Sequence, residues 1–189
     1  NATDASGMKA YDLAADYPAI QRALLLSGRL DAATKGKMLC DVSGQEDDLD
    51  IVVLVLQNGI DQESKGKALH IASQKGHPQV VDMLIANDVD VNATDASGMK
   101  AYDLAADYPA IQRALLLSGR LDAATKGKML CDVSGQEDDL DIVVLVLQNG
   151  IDQESKGKAL HIASQKGHPQ VVDMLIANDV DVNATDASG

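Results

Sequence analysis

Large aromatic side chains are almost missing from this chain: it has no Trp, no Phe and four Tyr. A core organised on big rings is therefore excluded, and Leu, Val, Ile, Ala and Met must fill the interior, as they do in thin two-layer helical stacks. Cysteine occurs twice, at 40 and 131, one in each half. With helical layers spaced roughly 10 Å apart, these two thiols lie far beyond disulfide reach. A reduced, intracellular and cytoplasmic setting is the simplest reading. Basic residues are scarce: the formal net charge is −13. Phosphate binding needs a basic face, so nucleic acid is not expected as a partner. No apolar run approaches the roughly 18 residues of a membrane span. Apolar residues make up 46% and charged residues 24%, a composition of folding rather than disordered chains.

What the chain does have is repetition. Residues 1–91 recur without a change as residues 92–182, and 183–189 begin a third copy. Random drift would have altered something over that length. The identity fits an engineered tandem, a very recent duplication or two periods of a longer array. A period this long suggests a supra-repeat of smaller units, and each block contains three.

The third unit is the clearest. In KGKALHIASQKGHPQVVDMLIANDVDVNATD, Lys65 to Asp95, the residues Ala68, Leu69, Ile71 and Ala72 form a small apolar helix around His70. Gly76-His77-Pro78 breaks it, and Pro78 suits the first turn of the next helix, where its missing N–H costs nothing. Val80, Val81, Met83, Leu84 and Ile85 make a second, bulkier helix, which ends at Asn87-Asp88. Neither helix is long enough to be stable alone, so the pair must stack on copies of itself.

This stretch resembles an ankyrin repeat, whose pattern runs T-P-L-H-x-A-A, then G-H-x-x-V-V-x-L-L, then G-A-D-V-N-A. Lys67 to Ala72 stands for the first landmark, Gly76-His77 with Val80 to Leu84 for the second, and Asp88 to Ala93 for the third. The first unit of each block, Gly7 to Gly28, puts Tyr11 and Asp12 in the usual Leu and His places, with Ile20, Leu24, Leu25 and Leu26 as its second-helix core. The second unit, Lys37 to Gly59, puts Cys40 in the His place. Its second helix, Ile51 to Leu56, is apolar all round, as expected where neighbours cover both faces. The His-equivalent positions 12, 40, 70, 103, 131 and 161 are spaced 28, 30, 33, 28 and 30 apart. The short spacings predict trimmed β-turn fingers or inter-helix turns. The fold class expected is all-α: an ankyrin-like solenoid of six stacked helix-turn-helix pairs with short hairpin or loop fingers, running as a single domain over 1–189.

No catalytic constellation stands out, so a non-enzymatic chain without cofactor or metal is expected. His70, His77, His161 and His168 are read as structural histidines that bond neighbouring loops, since no Cys or carboxylate stands beside them at ligand spacing. Asp88 to Asp95 looks like a calcium loop, but its sixth place is Ala93 and its twelfth is Met99, where Gly and Glu are needed. Asn1, Asn92 and Asn183 open Asn-Ala-Thr sequons, read as chance. Asp41, Glu46, Asp47, Asp48 and Asp50 form an acidic turn that suits the N-terminus of the Leu49 helix.

One departure from the family pattern is systematic. Lys replaces the usual Thr in every unit, at Lys9, Lys37, Lys67, Lys100, Lys128 and Lys158. Lys accepts no hydrogen bond, so the Thr–His tie is absent. The ladder either pairs with carboxylates of adjacent loops or selects an acidic partner. The resemblance implies a scaffold with a concave surface, and the positions matching the family's contact sites are Met8, Asp16, Tyr17, Gly44, Gln45, Gln74 and Lys75, with second copies Met99, Asp107, Tyr108, Gly135, Gln136, Gln165 and Lys166. The ladder adds Lys67 and Lys158 as candidate partner contacts. Tyr17 and Tyr108 are the expected anchors or, equally, covers for the helix turn. The rival reading is structural. Neither end unit is a polar capping repeat. The Tyr11/Leu24 side at one end and the Val171/Leu175 side at the other are expected to lie open, which predicts head-to-tail association of the chain with itself.

Overall fold

The computed structural model describes residues 3, 8–15, 17–45, 49–136 and 140–185. It forms two compact units, Asn1–Leu115 and Leu116–Gly189. The first holds a 3-10 turn (Asp12–Ala14) followed by α1 (Pro18–Leu26), α2 (Ala32–Ser43), α3 (Leu49–Leu56), α4 (Gln62–Lys75), α5 (Pro78–Ala86) and α6 (Ala101–Leu104). The helix α7 (Pro109–Leu117) carries the chain across the boundary, and the second unit holds α8 (Ala123–Ser134), α9 (Leu140–Gln148), α10 (Gln153–Lys166) and α11 (Pro169–Ala177). The described elements thus make six helix pairs, and the fold class is all-α, a helical repeat.

First helices pair with first helices and second with second: α2 lies against α4, α3 against α5, α8 against α10, and α9 against α11. Between the two layers sits the core. Met38, Leu39, Val42, Ala68, Leu69 and Ala72 enter from the first helices, and Leu25, Val52, Val55, Val80, Val81 and Leu84 from the second. Full burial of each Val or Leu is worth about 1.5–3 kcal/mol, which offsets the nucleation cost of helices this short.

The helix boundaries depart from the sequence reading. The first landmark opens at Lys37 and Lys67, but the helices that carry it start five residues before them. Both α2 and α4 begin one and a half turns earlier, because Asp31 and Asp61 cap them, accepting from Thr34 N at 2.7 Å and Ser64 N at 2.8 Å. An extra helical turn thus replaces the finger in these units, the physical content of the short spacings. The finger survives once per block, as an antiparallel bridge between Thr94 and Lys100 and between Thr3 and Lys9. Gly76 closes α4 in the left-handed region at φ +78°, and Pro78 opens α5. Asn87 and Asp88 end α5 as expected, with Asp88 left-handed at φ +57° where the equivalent positions hold Gly28 and Gly59.

Two core expectations also need correction. The helix α3 is not covered all round: Val53 is exposed and Leu54 half-buried. Leu26 points to solvent rather than into the core, in both copies, because its position lies beyond the apolar stripe of α1.

Candidate functional site

Four lysines of the ladder pair with carboxylates. Lys9 Nζ reaches Asp31 Oδ2 at 2.9 Å and Thr34 Oγ1 at 2.9 Å. Lys37 pairs with Asp12, and Lys67 and Lys158 pair with Glu63 and Glu154 one turn back at 2.6 Å. The helix shift explains this: Lys67 sits inside α4, so Glu63 lies on its own face. Four of the ladder's ammonium groups therefore already have anions. Lys37 also lies 5.8 Å from the Tyr11 ring centroid.

Asp in the His place does different work from His. Asp12 Oδ2 accepts from Lys9 N at 3.0 Å, and Asp103 Oδ2 from Lys100 N at 2.9 Å. Each carboxylate satisfies an N–H that opens its helical turn. The Lys37 ammonium, then the Lys9 N–H, hold Asp12 below the usual carboxylate range. Tyr11 is buried and donates its hydroxyl to Asp41 Oδ2 at 2.9 Å. Burial first, then that bond, push its pKa well above the usual tyrosine range, so it stays a donor. Burial, reinforced by Asp41, likewise raises the Cys40 thiol, and Cys131 follows with Asp132. Both thiols are the reverse of activated nucleophiles.

Three of the four histidines bond loops, as the resemblance implied, whereas the buried Nδ1 of His77 and that of His168 have no hydrogen-bond partner among the described residues. His70 Nε2 meets the Ala93 carbonyl at 2.9 Å, His161 meets Ala184 at 2.8 Å, and His168 meets Gly135 at 3.3 Å. Beside His70 an open groove of about 530 Å³ is lined by Gln62, Glu63, Gly66, Lys67 and Ala93 to Ala96. Its copy beside His161, of about 560 Å³, is lined by Gln153, Glu154, Gly157, Lys158, Ala184 and Thr185. A further polar hollow of about 340 Å³ joins Gln45 to Tyr11, Gln21, Lys37 and Asp41.

Of the expected contact residues, Met8, Tyr17, Gln45, Lys67, Gln74, Lys75, Met99, Asp107, Tyr108, Gln136, Lys158, Gln165 and Lys166 are exposed. Asp16 lies outside the described residues, as do Glu46, Asp47 and Asp48 of the acidic turn. Lys67 and Lys158 come together with the grooves, and Gln45 with the polar hollow. The turn residues Gln74, Lys75, Gln165 and Lys166 line none of these three. Tyr108 has a structural job: its ring covers Gly76 so closely that a Cβ there would overlap it. Its copy Tyr17 is 59% exposed against 37% for Tyr108.

Sequence reading missed the other lysine of each Lys-Gly-Lys. Lys35, Lys65, Lys126 and Lys156 each donate to the carbonyl of Asn58, Asn87, Asn149 or Asn178, at 3.2, 2.8, 3.0 and 2.8 Å. A cation at the end of the paired second helix complements its dipole. The intervening Gly36 and Gly127 let the next first helix approach, since a Cβ there would strike Ser64 or Ser155. The signal was the repetition of Lys-Gly-Lys itself.

Among the described residues no helix is long and apolar enough to cross a membrane. No curated protein matches the chain. Residues 55–105 and 146–189, together half of its length, match the family model described as ankyrin repeats (many copies). Those are the stretches around α4–α5 and α10–α11, where the three landmarks stand in order. The chain belongs to the ankyrin repeat family.

Proposed function

We propose that this chain is a non-enzymatic scaffold that binds a protein partner through the exposed inter-helix turns and through the grooves beside His70 and His161. Ankyrin repeats are generally protein-interaction modules, and the raised thiols leave the described side chains better suited to presenting a surface than to reacting. The observation that carries the reading is the duplicated groove: Glu63, Lys67 and His70 beside Ala93 to Ala96, and Glu154, Lys158 and His161 beside Ala184. A partner with a repeated motif would meet the same surface twice. The paired lysines weigh against an acidic partner selected by the ladder, because binding one would require breaking Lys67–Glu63 and Lys158–Glu154. An intracellular, cytoplasmic place goes with the two unbridged thiols.

The test is selection of binding peptides against the folded chain, followed by variants of the grooves and turns. Replacing Lys67 and Lys158, or Gln74 and Lys75 with Gln165 and Lys166, by Ala should weaken the selected peptides at least about tenfold, the loss of one hot-spot contact. Peptides indifferent to all of these changes would overturn the reading.

A further inference from the structure

Three residues of the first and second repeat units break an apolar pattern that their equivalents keep. With Asp12, Cys40 and His70 at one position of the repeat, Tyr11 stands where the third unit has Leu69, and Asp41 where it has Ile71. Aligned on the opening prolines Pro18 and Pro78, Gln21 stands where Val81 does. Leu69 and Val81 are fully buried core. Tyr11 is not open, as the end-face reading expected, but buried, and so are Val171 and Leu175. Gln21 is 5% exposed. A polar side chain in a core position costs stability unless its atoms find partners.

The three exceptions meet at the polar hollow of about 340 Å³ beside Gln45. The Tyr11 hydroxyl donates to Asp41 Oδ2, which fixes the carboxylate and leaves its other oxygen without a donor among the described residues. Gln21 Nε2 donates to the Ala14 and Ala15 carbonyls at 3.1 and 3.2 Å. Its Oε1 accepts from no described residue and keeps access to solvent, and the open space it lines is the hollow. Two carboxylates, Asp12 and Asp41, stand against one ammonium, Lys37, so a negative charge is left over. Asp41 lies in the last turn of α2, which holds no basic residue. The last turn of α4 carries Lys75, and the residue at the equivalent place after α2 is Gln45. The negative end of the α2 dipole therefore lacks the cation that α4 has.

We propose that this hollow takes an arginine side chain of a protein partner. A guanidinium holds its N–H donors in one planar fork, enough to serve Gln21 Oε1 and the free oxygen of Asp41 together. A lysine ammonium is a compact, strongly hydrated point charge that cannot present such a fork. Among the described residues no group of three potential ligands could hold a metal ion instead. The guanidinium neutralises the leftover charge and completes the end of α2. At about 340 Å³ the hollow lies at the small end of ligand pockets, which suits one side chain rather than a folded segment. That the arginine comes from a protein rests on the scaffold reading; that the hollow binds a guanidinium does not. Tyr102, Gln112, Asp132 and Gln136 repeat the same letters in the second block, so variants are made in pairs.

The test is titration of the full chain with N-acetyl-arginine amide, read by NMR at the Gln21 side-chain amide, with the lysine and citrulline analogues as controls. The arginine compound should saturate with a Kd on the order of 1 mM. Both analogues should bind at least about tenfold more weakly, one lacking the fork and the other the charge. Asp41→Asn with Asp132→Asn keeps an acceptor for Tyr11 and removes the charge. Gln45→Lys with Gln136→Lys supplies the missing cation from the chain itself. All four positions are exposed, so the core is untouched, and circular dichroism melts confirm folding. Each pair should weaken the arginine compound at least about tenfold. Shifts that grow without saturating, three compounds that act alike, or variants that bind like the unmodified chain overturn the proposal and leave a hydrated hollow only. Selected peptides that bind through the turns and grooves without an arginine overturn its protein source and leave the scaffold reading standing. Peptides indifferent to every groove and turn variant, with N-acetyl-arginine amide still saturating, overturn the scaffold reading alone.

Discussion

Residues 10–18 and 101–109 are the same nine letters, Ala-Tyr-Asp-Leu-Ala-Ala-Asp-Tyr-Pro, in two settings. The first forms a 3-10 turn at Asp12–Ala14, the second an α-helix at Ala101–Leu104. Local propensity is identical, so the neighbour decides, and the neighbour in the second case is α4. Contact draws Leu104 from the exposed class of its copy Leu13 to half-buried. It covers Ile111, at 0% exposure against 49% for Ile20. A short helix of marginal stability takes its form from packing rather than from its letters.

The largest test of that comparison is a pair of cavity variants. Ile111→Ala should cost about 2–5 kcal/mol, the range for a fully buried Ile. Ile20→Ala, at half the burial or less, should cost under about 1 kcal/mol. Urea unfolding of the dilute chain reads both. Equal costs would mean that Ile20 is covered in solution and that the two settings do not differ.

Gly76 and Gly167 give the next pair. Both are left-handed, so Ala at either is strained by about 1 kcal/mol. At Gly76 the new methyl also overlaps the Tyr108 ring, adding about 1–3 kcal/mol of overpacking. Gly76→Ala should therefore lose more than Gly167→Ala. Adding Tyr108→Ala to Gly76→Ala should bring the two closer, a coupling that a double-mutant cycle measures.

A smaller effect concerns the Asp caps that lengthen α2, α4 and α10. Asp31, Asp61 and Asp152 are all held below the ordinary carboxylate value of 3.8. For Asp31 the Thr34 hydroxyl acts first and the Lys9 ammonium next. For Asp61 and Asp152 the leading cause is the Ser64 or Ser155 backbone N–H. A carboxylate with a depressed folded pKa stabilises the fold at pH above its unfolded value. That stability is lost as pH falls from about 3.8 through the folded values. The melting temperature should thus be flat on this account near neutrality and fall in acid. Asp31→Asn should flatten the acid limb. Asp12→Asn, which breaks a bond to Lys9 N and the Lys37 pair, should flatten it too. An unchanged acid limb in both variants would show that these caps carry no pH-dependent stability.

The repeat unit, its helix pairs and the turn at Gly76-His77-Pro78 were legible because periodicity, a helix-breaking Gly and an N1 Pro are local signals. The loop-bonding histidines were legible through the family pattern. The starts of α2 and α4 were not. The pattern sets the helix start at the Thr-equivalent Lys37 and Lys67, and the competing caps Asp31 and Asp61 lie six residues upstream, where a finger was expected. Nor was the pairing of the Lys ladder, since it follows from that shift: once Lys67 lies inside α4, Glu63 is one turn away. Tyr108 on Gly76 was beyond the sequence because it joins residues of different blocks, while its copy Tyr17 stands uncovered.

The finest comparison lies at the ends of the second helices. Gly28, Gly59 and Asp88 hold one structural position, with φ of +67°, +70° and +57°, and Asp179 repeats Asp88 at +58°. An L-residue pays to adopt this region, and Asp pays less than most because its short side chain bonds locally. Asp179→Gly should relieve that strain and raise stability by about 0.5 kcal/mol, the remainder being offset by the greater freedom of Gly in the unfolded chain. The gain should hold equally at high salt, because it comes from the backbone. A loss of stability instead would place the Asp179 carboxylate in an interaction that Gly cannot replace. A gain that vanishes with salt would assign it to relief of the chain's negative charge rather than to φ.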